Sequence, residues 1–83
     1  MYYVYVIRNE IDEFYIGYTA DLKKRLAEHN AGGTQSTKNH QWELVYYEAY
    51  VNERYAHNRE RTLKRNRRMN KFLMDRVKES LSY

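Results

Sequence analysis

The sequence predicts an α+β fold: a small antiparallel sheet of three strands flanked by helices, in the order β-β-α-β-α-α. Three observations predict it. Residues 2–8 alternate aromatic and aliphatic side chains with a period of two, and residues 42–50 alternate again. Residues 51–83 contain neither Gly nor Pro and carry apolar residues at helical spacing. At 83 residues the chain is expected to form one domain, residues 1–83, with a core thin enough that every element must contribute to it.

The first strand puts Tyr2, Val4 and Val6 on one face and Tyr3, Tyr5 and Ile7 on the other. Asn9 to Glu13 is polar and turn-like, and Phe14 to Gly17 reads as a second strand, so the two form an antiparallel hairpin. Thr19 is the expected N-cap of a helix through His29, with Asp21 in its first turn. Leu22 and Leu26 share the core face of that helix. Arg25 and His29, also four apart, share another and converge. Asn30 and Gly32-Gly33 end the helix, and residues 31–41 form a loop of hydroxyls, amides, Lys38 and His40 that suits phosphate as well as plain solvent.

Residues 42–50 are apolar on both faces, which predicts a central strand. Asn52 caps a helix over residues 53–66 with Ala56, Arg59, Glu60 and Leu63 along one side. A last helix over 68–81 places Met69, Phe72, Leu73, Val77 and Leu81 on an apolar stripe; one long kinked helix over both segments is the alternative.

The absence of Cys excludes disulfides and thiolate metal sites, and points to the cytoplasm. No apolar run reaches the roughly 20 residues that span a bilayer, and Arg8 and Glu10 interrupt any signal-peptide pattern, so no membrane partner is expected. Charge is uneven. Residues 1–50 carry five Lys/Arg and seven Asp/Glu, a balance of −2; residues 51–83 carry ten and four, a balance of +6. A basic third suggests a polyanionic partner, nucleic acid first, against the plainer reading of a solvated helical surface.

Tyr3-Val4-Tyr5, Tyr15-Ile16-Gly17, Arg25, His29 and Glu60 together resemble the GIY-YIG endonuclease domain. Ten residues separate Tyr5 from Tyr15 and ten more lead to Arg25, with a helical Glu well downstream, and the resemblance covers nearly the whole chain. It is nearest to the small stand-alone members. The resemblance implies a nuclease-like fold of the kind read above and a metal-dependent hydrolysis of DNA phosphodiesters. It implies Glu60 as ligand of one Mg²⁺ or Mn²⁺ ion, an ion that favours oxygen donors and keeps several waters. It implies Tyr15, or failing it Tyr5, as the general base or as the group that orients the water, a role that needs a stabilised phenolate because free Tyr titrates near about 10. Arg25 would hold the phosphate and His29 would share proton transfer with Tyr5 or bind phosphate.

Each residue also has a structural reading: a salt bridge from Glu60 to Lys64, sheet packing for the tyrosines, a surface pair of Arg25 with Asp21, a helix C-terminal cation at His29, and a strand-end bend at Gly17. Contacts to nucleic acid are expected from Arg25, Lys38, Arg59, Lys64, Arg65 and Arg67. Val4 stands in a first motif that lacks its Gly, Tyr18 stands where some members have Lys, and Asn66 or Asn70 matches a further Asn of the family. The expected activity is nicking of one strand with weak sequence preference, selectivity coming from DNA structure, a protein partner or a homodimer. The alternatives are a non-catalytic nucleic-acid-binding module using the basic C-terminal third, and a small interaction protein that packs through its last helix.

Overall fold

The computed structural model describes residues 1–83. The order is β1 (Tyr2–Asn9), β2 (Phe14–Thr19), α1 (Leu22–Asn30), a 3₁₀ turn (Gln35–Thr37), β3 (Trp42–Tyr50), α2 (Glu53–Arg65) and α3 (Arg67–Leu81). The three strands form one antiparallel sheet in the order β2-β1-β3. The α+β class and the succession of elements are those predicted. The central strand is not: β1 lies in the middle and β3 at an edge. Val4, Val6 and Ile7 of β1 are fully buried and Tyr5 nearly so, whereas Glu43, Leu44, Tyr47 and Ala49 of β3 are exposed. Hydropathy alone could not separate the two strands, because the tyrosines of β3 are amphipathic and tolerate solvent on one side.

The predicted alternation of β1 sorts the core into two clusters. On one face Val4, Val6 and Ile16 pack with Ala56 and Leu63 of α2 and Leu73 and Val77 of α3. On the other, Tyr5, Ile7 and Trp42 pack with Leu22 and Leu26 of α1 and with Tyr15. The sheet is thus the middle of three layers. A bulge interrupts the β1–β3 register: Val6 pairs with Tyr46 but Ile7 with Leu44, leaving Val45 extra. Truncating Leu63, at 0% exposure in the larger cluster, would cost about 2–5 kcal/mol.

Helix ends follow local chemistry. The cap of α1 is Asp21, not Thr19: the Asp21 carboxylate accepts from the Lys24 amide at 3.1 Å, and Thr19 Oγ1 instead accepts from the Asp21 amide. At the other end Gly32, with φ of 79°, takes the left-handed conformation that reverses the chain, while Gly33 N–H donates to the Glu28 carbonyl at 2.9 Å. Asn52 caps α2 as predicted. Asn66 settles the C-terminal third as two helices. It closes α2 in an extended conformation, φ −92° and ψ 108°, and its side chain caps α3 at the Met69 amide. Asn70 then donates to the Leu63 carbonyl at 2.9 Å, tying the two helices together. The apolar stripe of α3 holds for Leu73 and Val77, but Phe72 is 61% exposed, outside the arc that faces the sheet.

Candidate active site

Tyr5 lies at the middle of the buried strand and its ring crosses β2. The crossing is possible only because residue 17 is Gly: a Cβ there would stand 2.5 Å from Tyr5 Cζ, inside any real contact. Gly17 is therefore more than a strand-end bend; it is the slot for the Tyr5 ring. The Tyr5 hydroxyl then meets His29 Nε2 at 2.7 Å, from the last turn of α1. His29 is fully buried, so it is not the exposed cation that a helix end would favour. Its other nitrogen, Nδ1, lies 2.7 Å from Thr37 Oγ1, also fully buried. Trp42 Nε1–H fixes that turn by donating to the Thr37 carbonyl at 2.8 Å.

One ordering of protons satisfies the whole chain of groups. Tyr5 O–H donates to Nε2, Nδ1–H donates to Thr37 Oγ1, and the Thr37 hydroxyl points to the Thr34 carbonyl, 3.5 Å away. Burial lowers the His29 pKa from its usual 6.5, with the Arg25 charge adding to the effect, so the ring is neutral at pH 7. Burial also pushes the Tyr5 phenol up to about 12, although the nearby Arg25 guanidinium pulls against it. Tyr5 is thus protonated at neutral pH and next to a neutral base.

Arg25 lies half-buried on the same side of α1 and pairs with Glu28 at 3.2 Å, not with Asp21. Tyr15, half-buried on β2, sets its ring edge-on to His29 at 5.2 Å between centroids. The Lys64 ammonium sits 5.0 Å from the centre of that ring and 2.9 Å from Glu60 Oε2. The Glu60 side chain is 12% exposed. Tyr5, Tyr15, Arg25, His29 and Glu60, drawn from four elements, thus gather around one place, and Lys64 joins them. Thr37 belongs to the group as well and was invisible in the sequence, where it is one hydroxyl in a polar loop.

The remaining basic residues divide. Arg59 donates to both oxygens of Glu48 at 2.9 and 3.0 Å, on the opposite face of the sheet. Lys38 follows Thr37 and is exposed, and Arg65 and Arg67 are exposed on α2 and α3. No group of three or more His, Cys, Asp or Glu side chains is placed to hold a metal. Glu60 alone, an oxygen donor with one lysine on it, fits an ion that keeps most of its ligands as water and does not fit one that needs several imidazoles or thiolates.

The model of the GIY-YIG catalytic domain matches residues 1–73. The chain belongs to the GIY-YIG family. Its relatives include the UPF0213 protein of Clostridium perfringens, 34% identical over 95% of this chain and 90% of that one. The UPF0213 proteins of Streptococcus pneumoniae and of Haloquadratum walsbyi are 37% and 35% identical over 83% and 76% of this chain, and 72% and 73% of theirs. No solved structure matches it significantly. The GIY-YIG domain is a nuclease-type hydrolase domain with DNA as its substrate class, and its members are generally dependent on a divalent metal. No helix of this GIY-YIG protein is long and apolar enough to cross a membrane.

Proposed function

We propose that the protein is a metal-dependent endonuclease that nicks one strand of DNA with weak sequence preference. The observation that carries this reading is the 2.7 Å bond between Tyr5 and a neutral, buried His29, set beside Arg25, Tyr15 and Glu60. Glu60 would hold Mg²⁺ or Mn²⁺, exchanging its bond to Lys64 for the ion. When bound, the ion would neutralise charge on the phosphoryl oxygens and acidify a coordinated water.

The chain's own residues supply the rest. Tyr5 takes a proton from the attacking water as it passes its own proton to His29 Nε2, so no free phenolate forms. The water oxygen bonds to phosphorus and the bond to the leaving oxygen breaks; that oxygen takes a proton from solvent, and the imidazolium, stabilised until then by its Nδ1–H bond to Thr37, returns its proton through Tyr5 to solvent. Arg25 grips the non-bridging oxygens with its planar fork. Tyr15 orients the water. Lys64, released from Glu60, and Lys38 neutralise neighbouring phosphates.

The test is relaxation of supercoiled plasmid with Mg²⁺ or Mn²⁺, for wild type, for Glu60→Gln, and with a chelator present. Metal-dependent nicking that is lost in Glu60→Gln is the expected result. Nicking that survives in Glu60→Gln would remove Glu60 from the site. A second reading, a nucleic-acid-binding module without chemistry, draws on the unpaired arginines of α2; it predicts salt-sensitive retention of DNA in a gel with no nicking under any metal.

A further inference from the structure

The cations of α2 fall into two sets. Arg59 and Lys64 turn toward the protein and are held by Glu48 and Glu60. Arg54, Arg61 and Arg65 turn outward and make no ion pair. At 100° per residue these three lie within about 40° of one another, opposite the buried Ala56 and Leu63. A face that served only solubility would mix signs and form i,i+4 pairs, whereas Arg61 and Arg65 are like charges four apart, an unfavourable spacing.

Two concavities run along this face and share Asn58. One is lined by Arg61, Thr62, Arg65 and Asn66 with no apolar residue. The other, toward the start of α2, is lined by Tyr50, Val51, Arg54 and Tyr55. Tyr55 is 58% exposed, and its ring packs against Tyr50 at 4.8 Å between centroids, which holds it in place with a face to solvent. Arginines in a row with a braced aromatic at one end make the pattern that binds a single strand: guanidinium groups follow the phosphates and a base stacks on the ring. From Arg54 to Arg65 the helix rises about 16 Å, the length of about five stacked nucleotides.

We infer that the outer face of α2 is a groove for single-stranded nucleic acid, with Arg54, Arg61 and Arg65 on the backbone and Tyr55 under a base. Resting on the nuclease reading, this assigns a substrate class: DNA with an unpaired segment that passes around α2 to the cut, since Glu60 lies about 100–140° around the helix from the three arginines and from Tyr55. A duplex would find the arginines but could not offer a base to Tyr55.

The experiment measures binding of a fluorescent oligothymidine and of a duplex of equal length across a salt series, by anisotropy, in chelator and on the Glu60→Gln background. Cleavage does not enter, so failure of the nuclease reading cannot be mistaken for failure of this one. Tyr55→Ala should weaken single-strand binding by about fivefold or more and leave duplex binding unchanged, with Tyr55→Phe restoring it. Arg54→Ala/Arg61→Ala/Arg65→Ala should reduce the magnitude of the single-strand salt slope by about 2, whereas Lys71→Ala, already paired with Asp75, should not. Full single-strand affinity in Tyr55→Ala, or an unchanged slope in the triple variant, would overturn the proposal. All four positions are exposed, so the variants should fold, and melting temperatures equal to wild type would verify it.

Discussion

The sheet carries a polar network on each face, and the two are built differently. On the α2–α3 face, the Glu48 carboxylate receives Arg59 through two bonds, Tyr46 at 2.6 Å and Tyr50 at 2.6 Å. Burial alone would raise its pKa, but these four donors hold it down at about 2. That network is closed around its anion: each Glu48 oxygen accepts from two protein donors, and the charge is fixed. On the α1 face, Tyr5, His29 and Thr37 are more deeply buried but neutral; Arg25 beside them pairs with Glu28 and faces the Tyr5 hydroxyl, and Glu60, reaching in from α2, pairs with Lys64. That network is open at one side. A closed ionic network gives stability and nothing to bind; an open one with a neutral interior leaves its charges to be completed by a ligand.

Arg25→Ala separates the open network from the closed one most strongly. It should lower nicking by about 10²-fold while moving the melting temperature little, because Arg25 gives up a partly exposed pair with Glu28 and a contact with the neutral Tyr5 hydroxyl. If the protein unfolds instead, the α1 face is structural and the distinction fails. Glu48→Gln should do the reverse. Leaving Arg59 without its anion should cost on the order of 2 kcal/mol, about 10 °C in melting temperature for a domain of this size, with nicking retained at a temperature where the variant is folded.

Gly17→Ala tests the link between packing and chemistry on the open side. The new methyl collides with Tyr5, so calorimetry should show a loss of about 1–3 kcal/mol and the plasmid assay a parallel fall in nicking. Acid titration separates the two faces in one experiment. The folded His29 binds a proton less readily than the unfolded ring, so stability falls as pH drops below 6.5. Glu48, lowered from 4.5 to about 2, adds a second loss between those values. A His29→Gln melt series should lack the first limb and keep the second. The smallest effect is expected of Thr37→Val, which removes the bond to His29, the long one to the Thr34 carbonyl and about 1 kcal/mol, yet should shift the pH profile of nicking because the imidazolium loses its acceptor.

What the sequence disclosed follows from where the information lies. Arg25 and His29 are legible as a pair because the helix period puts residues four apart on one face, whereas Tyr5 and Tyr15 are singled out among ten tyrosines only by the resemblance to the GIY-YIG domain. The sorting of β1 into two faces is legible from the strand period. The place of β3 at an edge is not, since its alternation of Tyr with Val, Ala and Glu satisfies a central strand equally well. Thr37 reaches His29 only through the reversal at Gly32 and the anchor from Trp42, which are tertiary facts. Gly17 was marked by its motif, but its reason lies twelve residues upstream, in the ring of Tyr5. The division of arginines into held and free waits on knowing where the acidic residues fall.

The junction at Asn66 has one more consequence, for the history of the chain. A single residue separates α2 from α3, and it serves both helices. One residue added or lost there would part the two caps and draw the Asn70 amide off the Leu63 carbonyl, loosening α3 and its Leu73 and Val77 from the sheet. Insertions and deletions should therefore be absent at this point among descendants of the same ancestor, and should collect in the loop at residues 38–41, where no residue caps two helices at once.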